Sequence, residues 1–149
     1  MHNNEILSRL VDALTLKDDS LAEIFALGGE EMTGADALAR TRQPGTEGAV
    51  ACASEELGRF LDGLIVSKRG PRDTDGAPRA PEQLTNNGIL KKLRIALTLQ
   101  ENDVLRILDA GGSPTTRQAL SPLFRKPGNK HFRPCSDAVL CSFLDGLSG

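Results

Sequence analysis

The sequence predicts an all-α protein, a tandem duplicated helical domain, and three observations carry that expectation. Residues 3–66 reappear as residues 86–149 at a constant offset of 83, with 23 of the 64 paired positions identical and no gap between them. Within each copy the apolar residues recur at i, i+3, i+4 and i+7, the spacing that gathers them on one face of a helix. No segment alternates apolar and polar residues as a half-buried strand does. The expected architecture is about four helices per copy with a helix-turn-helix-like core, the copies related by a pseudo-twofold arrangement.

The elements follow in order. Ile6, Leu7, Leu10 and Leu14 form the first stripe, with Asn3 or Asn4 expected to cap the helix by accepting from unpaired backbone N–H groups. Leu21, Ile24 and Phe25 form the second, capped by Asp18 or Asp19 and stopped at Gly28-Gly29, because glycine reaches the left-handed conformation at little cost. A shorter third helix is expected from Thr33, with Thr33 and Asp36 spaced as a capping pair, ending before Pro44-Gly45. Its counterpart from Thr116 meets Pro122, which removes a helical hydrogen bond and predicts a break. Leu57, Phe60, Leu61 and Leu64 form the last stripe, capped by Ser54. Gly63 and its duplicate Gly146 sit inside that last helix, where glycine is unfavourable; close approach of a neighbouring helix backbone would explain them.

The domain reading is a first, acidic repeat at 3–66, a linker at 67–85 and a second, basic repeat at 86–149. The linker carries Pro71, Pro78, Pro81, Gly70 and Gly76 with charges of both signs and little that could pack. A unit of 64 residues has a marginal core of its own, so the copies are expected to pack into one body.

Several function classes are excluded or disfavoured. No stretch approaches the roughly 20 apolar residues of a membrane helix, and the first ten residues lack a secretory signal, so the expected location is the cytoplasm. Cys52, Cys135 and Cys141 are expected to be free thiols packed as small apolar residues. His131, Cys135 and Cys141 are the nearest approach to a metal set, but the first copy has Gly48 and Gly58 in place of His131 and Cys141. No phosphate loop, nucleophile turn or paired-histidine signature occurs, so neither catalysis nor a cofactor is expected. The absence of Trp and Tyr removes most of the stacking platform that single-strand binders use. Arg42 and Arg125 are matched, as are Asp62 and Asp145, and ion pairs within each copy, Arg42 with Asp62 and Arg125 with Asp145, are expected.

Charge carries the functional expectation. Residues 3–66 hold 5 Lys or Arg against 12 Asp or Glu, a net of −7; residues 86–149 hold 9 against 5, a net of +4. The linker adds +1 from 4 against 3, which completes the chain's −2. The second copy places Lys91, Lys92 and Arg94 on its first helix, Arg117 and Gln118 at the start of its third, and Arg125, Lys126, Lys130, His131 and Arg133 around the loop that follows. Such groups suit phosphates, and these ten residues are the candidate nucleic-acid contacts.

Asn-Asn-x-Ile-Leu at the start of each copy, Leu-Arg-Ile-Ala-Leu at 93–97, Leu-Phe-Arg-Lys-Pro at 123–127, the step Cys135-Ser136-Asp137 and the Phe-Leu-x-Gly-Leu endings resemble the YehS-like family, small bacterial proteins with two copies of a domain of unknown function. The resemblance covers nearly all the chain outside the linker and implies a bacterial cytosolic protein, without an activity, cofactor or binding residue to carry over. The first copy departs from the pattern over Ala39–Ala51, where the aromatic and basic residues of the second are absent. The resulting expectation is a non-enzymatic regulatory protein, monomer or dimer. Its basic copy would contact duplex nucleic acid, its acidic copy would bind a protein or restrain its twin, and no membrane is involved. The alternative is a protein-interaction module that never touches nucleic acid.

Overall fold

A computed structural model describes residues 2–70, 84–126 and 128–148; the expected linker lies mostly outside them. The described residues are helical, with no strand. The first copy comprises α1 (Asn3–Leu14), α2 (Asp18–Leu27), α3 (Gly34–Ala39) and α4 (Ser54–Arg69). The second comprises α5 (Asn86–Ala96), α6 (Glu101–Ala110), α7 (Arg117–Leu120), a 3₁₀ turn at Ser121–Phe124, and α8 (Asp137–Ser148). The break at Pro122 thus takes the form of a switch from α to 3₁₀ geometry one residue before the proline. The last helix of the first copy runs past the buried Ile65 to Arg69, three residues into the expected linker.

Within a copy the second and last helices form the main pair, α2 on α4 and α6 on α8. Between copies the pairing crosses: α1 packs chiefly on α8, and α5 chiefly on α4. Each copy therefore closes the other's core, and the buried side chains of both join in one cluster that includes Leu7, Phe25, Phe60, Leu90, Leu108 and Phe143. This is how units of marginal size reach a shared interior. Ion pairs mark the same crossing. Lys92 of α5 pairs with Asp62 of α4, and Arg9 of α1 pairs with Asp145 of α8. Arg9 and Lys92 are equivalent positions, as are Asp62 and Asp145, so the two contacts are duplicates of one another. They replace the expected pairs within each copy: both aspartates face the opposite copy, out of the setting proposed for Arg42 and Arg125.

The matched glycines lie where α2 crosses α4 and α6 crosses α8. A Cβ on Gly63 would overlap the Ile24 carbonyl, and one on Gly28 would overlap the Arg59 carbonyl. Gly146 meets the Ile107 carbonyl and Gly111 the Ser142 carbonyl in the same way. Close backbone approach therefore accounts for the glycines within α4 and α8, as expected. Of the pair that stops α2, Gly29 has the left-handed backbone (φ +97°), whereas Gly28 is required by packing.

Several caps differ from expectation. His2 and Thr85 occupy the positions before α1 and α5, and Asn3 and Asn4 lie inside the first turn. Lys17 precedes α2, and Ala53 precedes α4, where Glu56 accepts from the Ala53 N–H at 3.0 Å. Thr33 does cap α3, accepting from the Asp36 N–H at 3.1 Å, and Thr116 caps α7 in the same manner. The asparagines are diverted because their side chains have a longer-range task.

Candidate functional site

That task is to hold the loop before the last helix. Asn87 donates from Nδ2 to the carbonyls of Leu123 (2.9 Å) and Arg133 (2.8 Å), and its Oδ1 accepts from the Cys135 N–H at 2.8 Å. Asn86 adds bonds to the Cys135 carbonyl and to Asp137, whose carboxyl is held below its ordinary value chiefly by that Asn86 amide. The loop between residues 123 and 135 is thus fixed to α5 at both ends. It is further tied by the Arg133 N–H to the Pro122 carbonyl (3.2 Å) and the Phe132 N–H to the Asn129 carbonyl (2.9 Å). The first copy repeats the arrangement: Asn4, only 3% exposed, donates to the Arg42 and Val50 carbonyls and accepts from the Cys52 N–H.

The basic residues expected to act together divide between two places. Arg125, Lys126, Lys130, His131 and Arg133 are exposed on or at the end of the fixed loop, and Arg117 and Gln118 are exposed on α7. Arg117 donates to Asn102 on α6. Lys92 is withdrawn from this set, with its side chain 15% exposed and its ammonium on Asp62. Arg94 is half-buried, its guanidinium 4.7 Å above the Phe124 ring and its Nε donating to the Leu99 carbonyl at 3.1 Å. Lys91 is exposed near Arg94, where both line a pocket on α5. Arg69, which sequence reasoning assigned to the linker, lines that same pocket.

The thiols are set apart from this surface. Cys52 and Cys135 are buried, and burial pushes them up to about 12 and about 11. The backbone N–H of each is held by an asparagine of its copy's first helix, the buried Asn4 for Cys52 and the half-buried Asn87 for Cys135. Cys141 is half-buried on α8, 3.9 Å from Asp145, and His131 is exposed. Among the described residues no three His, Cys, Asp or Glu side chains are grouped to share a metal, and no helix is long and apolar enough to cross a membrane.

The duplicated asparagine, glycine and aspartate positions recur at the same places in both copies. A family model described as a protein of unknown function (DUF1456) matches residues 3–70 and 86–149. The chain belongs to the DUF1456 family. Uncharacterized protein YehS of Escherichia coli (strain K12) is 35% identical to it over 148 residues, covering 99% of this chain and 95% of the relative. No solved structure matches it significantly.

The two DUF1456 segments of this chain share their scaffold but differ in what they add to it. Glu30 and Arg59 of the first copy, 3.3 Å apart, are replaced by Ser113 and Ser142, whose hydroxyls are 2.7 Å apart. Arg40 and Glu56, an ion pair at 3.0 Å, are replaced by Leu123 and Val139 of the core cluster. Residues 27–53 contain Glu30, Glu31, Asp36 and Glu47, whereas the equivalent 110–136 contain no acid.

Proposed function

We propose that this DUF1456 protein is a non-enzymatic regulator that binds nucleic acid through the phosphate backbone, using its second copy. The observation that carries the reading is the 27-residue run 110–136, in which Arg117, Arg125, Lys126, Lys130 and Arg133 are exposed with no Asp or Glu among them. Asn87 fixes the loop that bears four of these cations, so the backbone that presents them loses little further freedom on binding. The helix-turn-helix-like outline of α6 and α7 has a second helix of only four residues, which favours backbone contact over groove reading.

The test is anisotropy of labelled mixed-sequence duplex DNA with the full chain across a salt series. The full chain is needed because each copy closes the other's core. Phosphate contact predicts that log affinity falls against log salt with a slope of about −0.9 per phosphate neutralised. Neutralising Arg125, Lys126 or Lys130 to Gln reduces the slope by about one each and weakens binding equally across sequences. Absence of binding at low salt overturns the reading.

A second reading has its own observation. Leu27, Leu38 and Val50 are exposed on the acidic copy at 39–45%, where the basic copy has Ala110, Ser121 and Arg133. Apolar side chains on an acidic surface support a protein partner for the first copy, recovered in stoichiometric amount by the intact chain and lost with Leu38→Ser.

A further inference from the structure

The end of α4, the C-terminal half of α5 and the 3₁₀ turn line an open, shallow pocket of about 330 Å³, at the lower end of the size range of small-molecule sites. Ile95, Leu99 and Phe124 give it an apolar wall, and Arg69, Lys91 and Arg94 bring three cations to it. Among the described residues, none that lines it is acidic. Arg94 is held in place by its stack on Phe124 and by the bond from Nε to the Leu99 carbonyl, so its two terminal nitrogens remain available in a fixed orientation. Arg69 is steadied by a 3.4 Å contact from Nη1 to the Ile95 carbonyl. Three like charges beside an apolar wall repel one another, and an anion that enters relieves that repulsion.

The duplicated copy provides an internal control. At the positions of Lys91, Arg94, Ile95 and Phe124 the first copy has Ser8, Val11, Asp12 and Thr41, yet its α1, α2 and α4 match α5, α6 and α8. The long helices therefore do not require the cations, and the presence of those cations in one copy calls for another cause, whereas Phe124 also packs on the core cluster. We infer that this pocket binds a small organic anion, a phosphate monoester or carboxylate carrying a flat apolar body. Arg69, Lys91 and Arg94 meet the charge, and Phe124, Ile95 and Leu99 cover the body. The inference is independent of the duplex reading, since it rests on residues apart from the exposed loop cations.

The experiment is a titration of the ¹⁵N-labelled full chain with phenyl phosphate, benzoate and inorganic phosphate, following amide shifts. The expected result is saturable shifts centred on residues 94–100 and 124 with both phenyl anions, and at least tenfold weaker binding of inorganic phosphate, which lacks the apolar body. The tighter of the two phenyl anions identifies whether phosphate or carboxylate is the natural charge. Arg94→Val and Lys91→Ser, which install the residues of the first copy at positions outside the core cluster, each weaken the tighter ligand at least tenfold without altering shifts elsewhere. Unsaturable or scattered shifts with all three probes overturn the inference, as does unchanged affinity in both variants. Arg125→Gln and Lys130→Gln, which lie outside the pocket lining, are expected to weaken duplex binding and leave the affinity for the phenyl anions little changed, so failure of the pocket and failure of the duplex reading give different patterns.

Discussion

Gly63 of α4 is seated directly on the Ile24 carbonyl of α2, and Gly146 of α8 on the Ile107 carbonyl of α6. The absence of a side chain is what lets the two helices of each copy meet backbone to backbone. Since the neighbour is a carbonyl held in a helix, it cannot yield as a flexible side chain would. Gly63→Ala and Gly146→Ala are each expected to lower stability by about 2 kcal/mol or more. Gly58, in the same helix as Gly63, faces open space. Gly58→Ala is expected to raise stability by roughly 0.5–1 kcal/mol. Urea denaturation of the three variants side by side separates packing from helix propensity.

The crossed ion pairs are expected to couple the copies. Lys92 is mostly buried beside Asp62, whereas Asp145 is half exposed beside Arg9. A double-mutant cycle on Lys92 and Asp62 should give a coupling of up to about 1 kcal/mol, and the Arg9 and Asp145 cycle less, because water and salt screen it. Lys92→Glu should destabilise, and adding Asp62→Lys should restore most of the loss.

Asn87→Ala leaves the Cys135 N–H and two carbonyls without their partner. The expected cost is about 2 kcal/mol or more. Hydrogen exchange at the Cys135 amide should accelerate more than at amides of α6. Duplex affinity should fall as the loop cations lose their fixed placement. Asn4→Ala should have the same structural effect in the first copy without the effect on binding.

Burial raises both interior thiols, Cys52 to about 12 and Cys135 to about 11. The folded chain therefore keeps protons that the unfolded chain releases above the ordinary thiol value near 9. Their contribution to stability is complete below pH 9 and declines as pH rises toward 11 and 12. Cys52→Ala with Cys135→Ala should flatten the alkaline loss seen in denaturation at successive pH values. A thiol-labelling reagent at pH 8 should modify Cys141 well before the other two.

The helices were legible because their signals are local or repeated. The stripe of Leu57, Phe60, Leu61 and Leu64, the Thr33–Asp36 cap and the interruption at Pro122 each depend on residues a few positions apart. Gly63 was legible for another reason: a glycine that costs helix stability and recurs at the same place in a duplicate implies a packing constraint. Asn3 or Asn4 was expected as a cap, since an asparagine at a helix start serves equally well as a cap or, as Asn4 does, as a partner for a loop some 38–46 residues away. Of the basic residues, the exposed loop set was legible from its acid-free run, while Arg69 gave no signal, lying in what looked like a linker.

The sequence by itself determined the duplication, the all-helical class, the helix-crossing glycines and the charge division between copies, because each is written in composition or period. Only the tertiary structure decided which copy each helix packs against. It placed Asp62 on Lys92 and Asp145 on Arg9, and drew Arg69 to Arg94 and Phe124. In a duplicated sequence every contact within a copy has an equivalent between copies, and the local pattern is identical for both. The choice is made by the burial available when the two units close on each other.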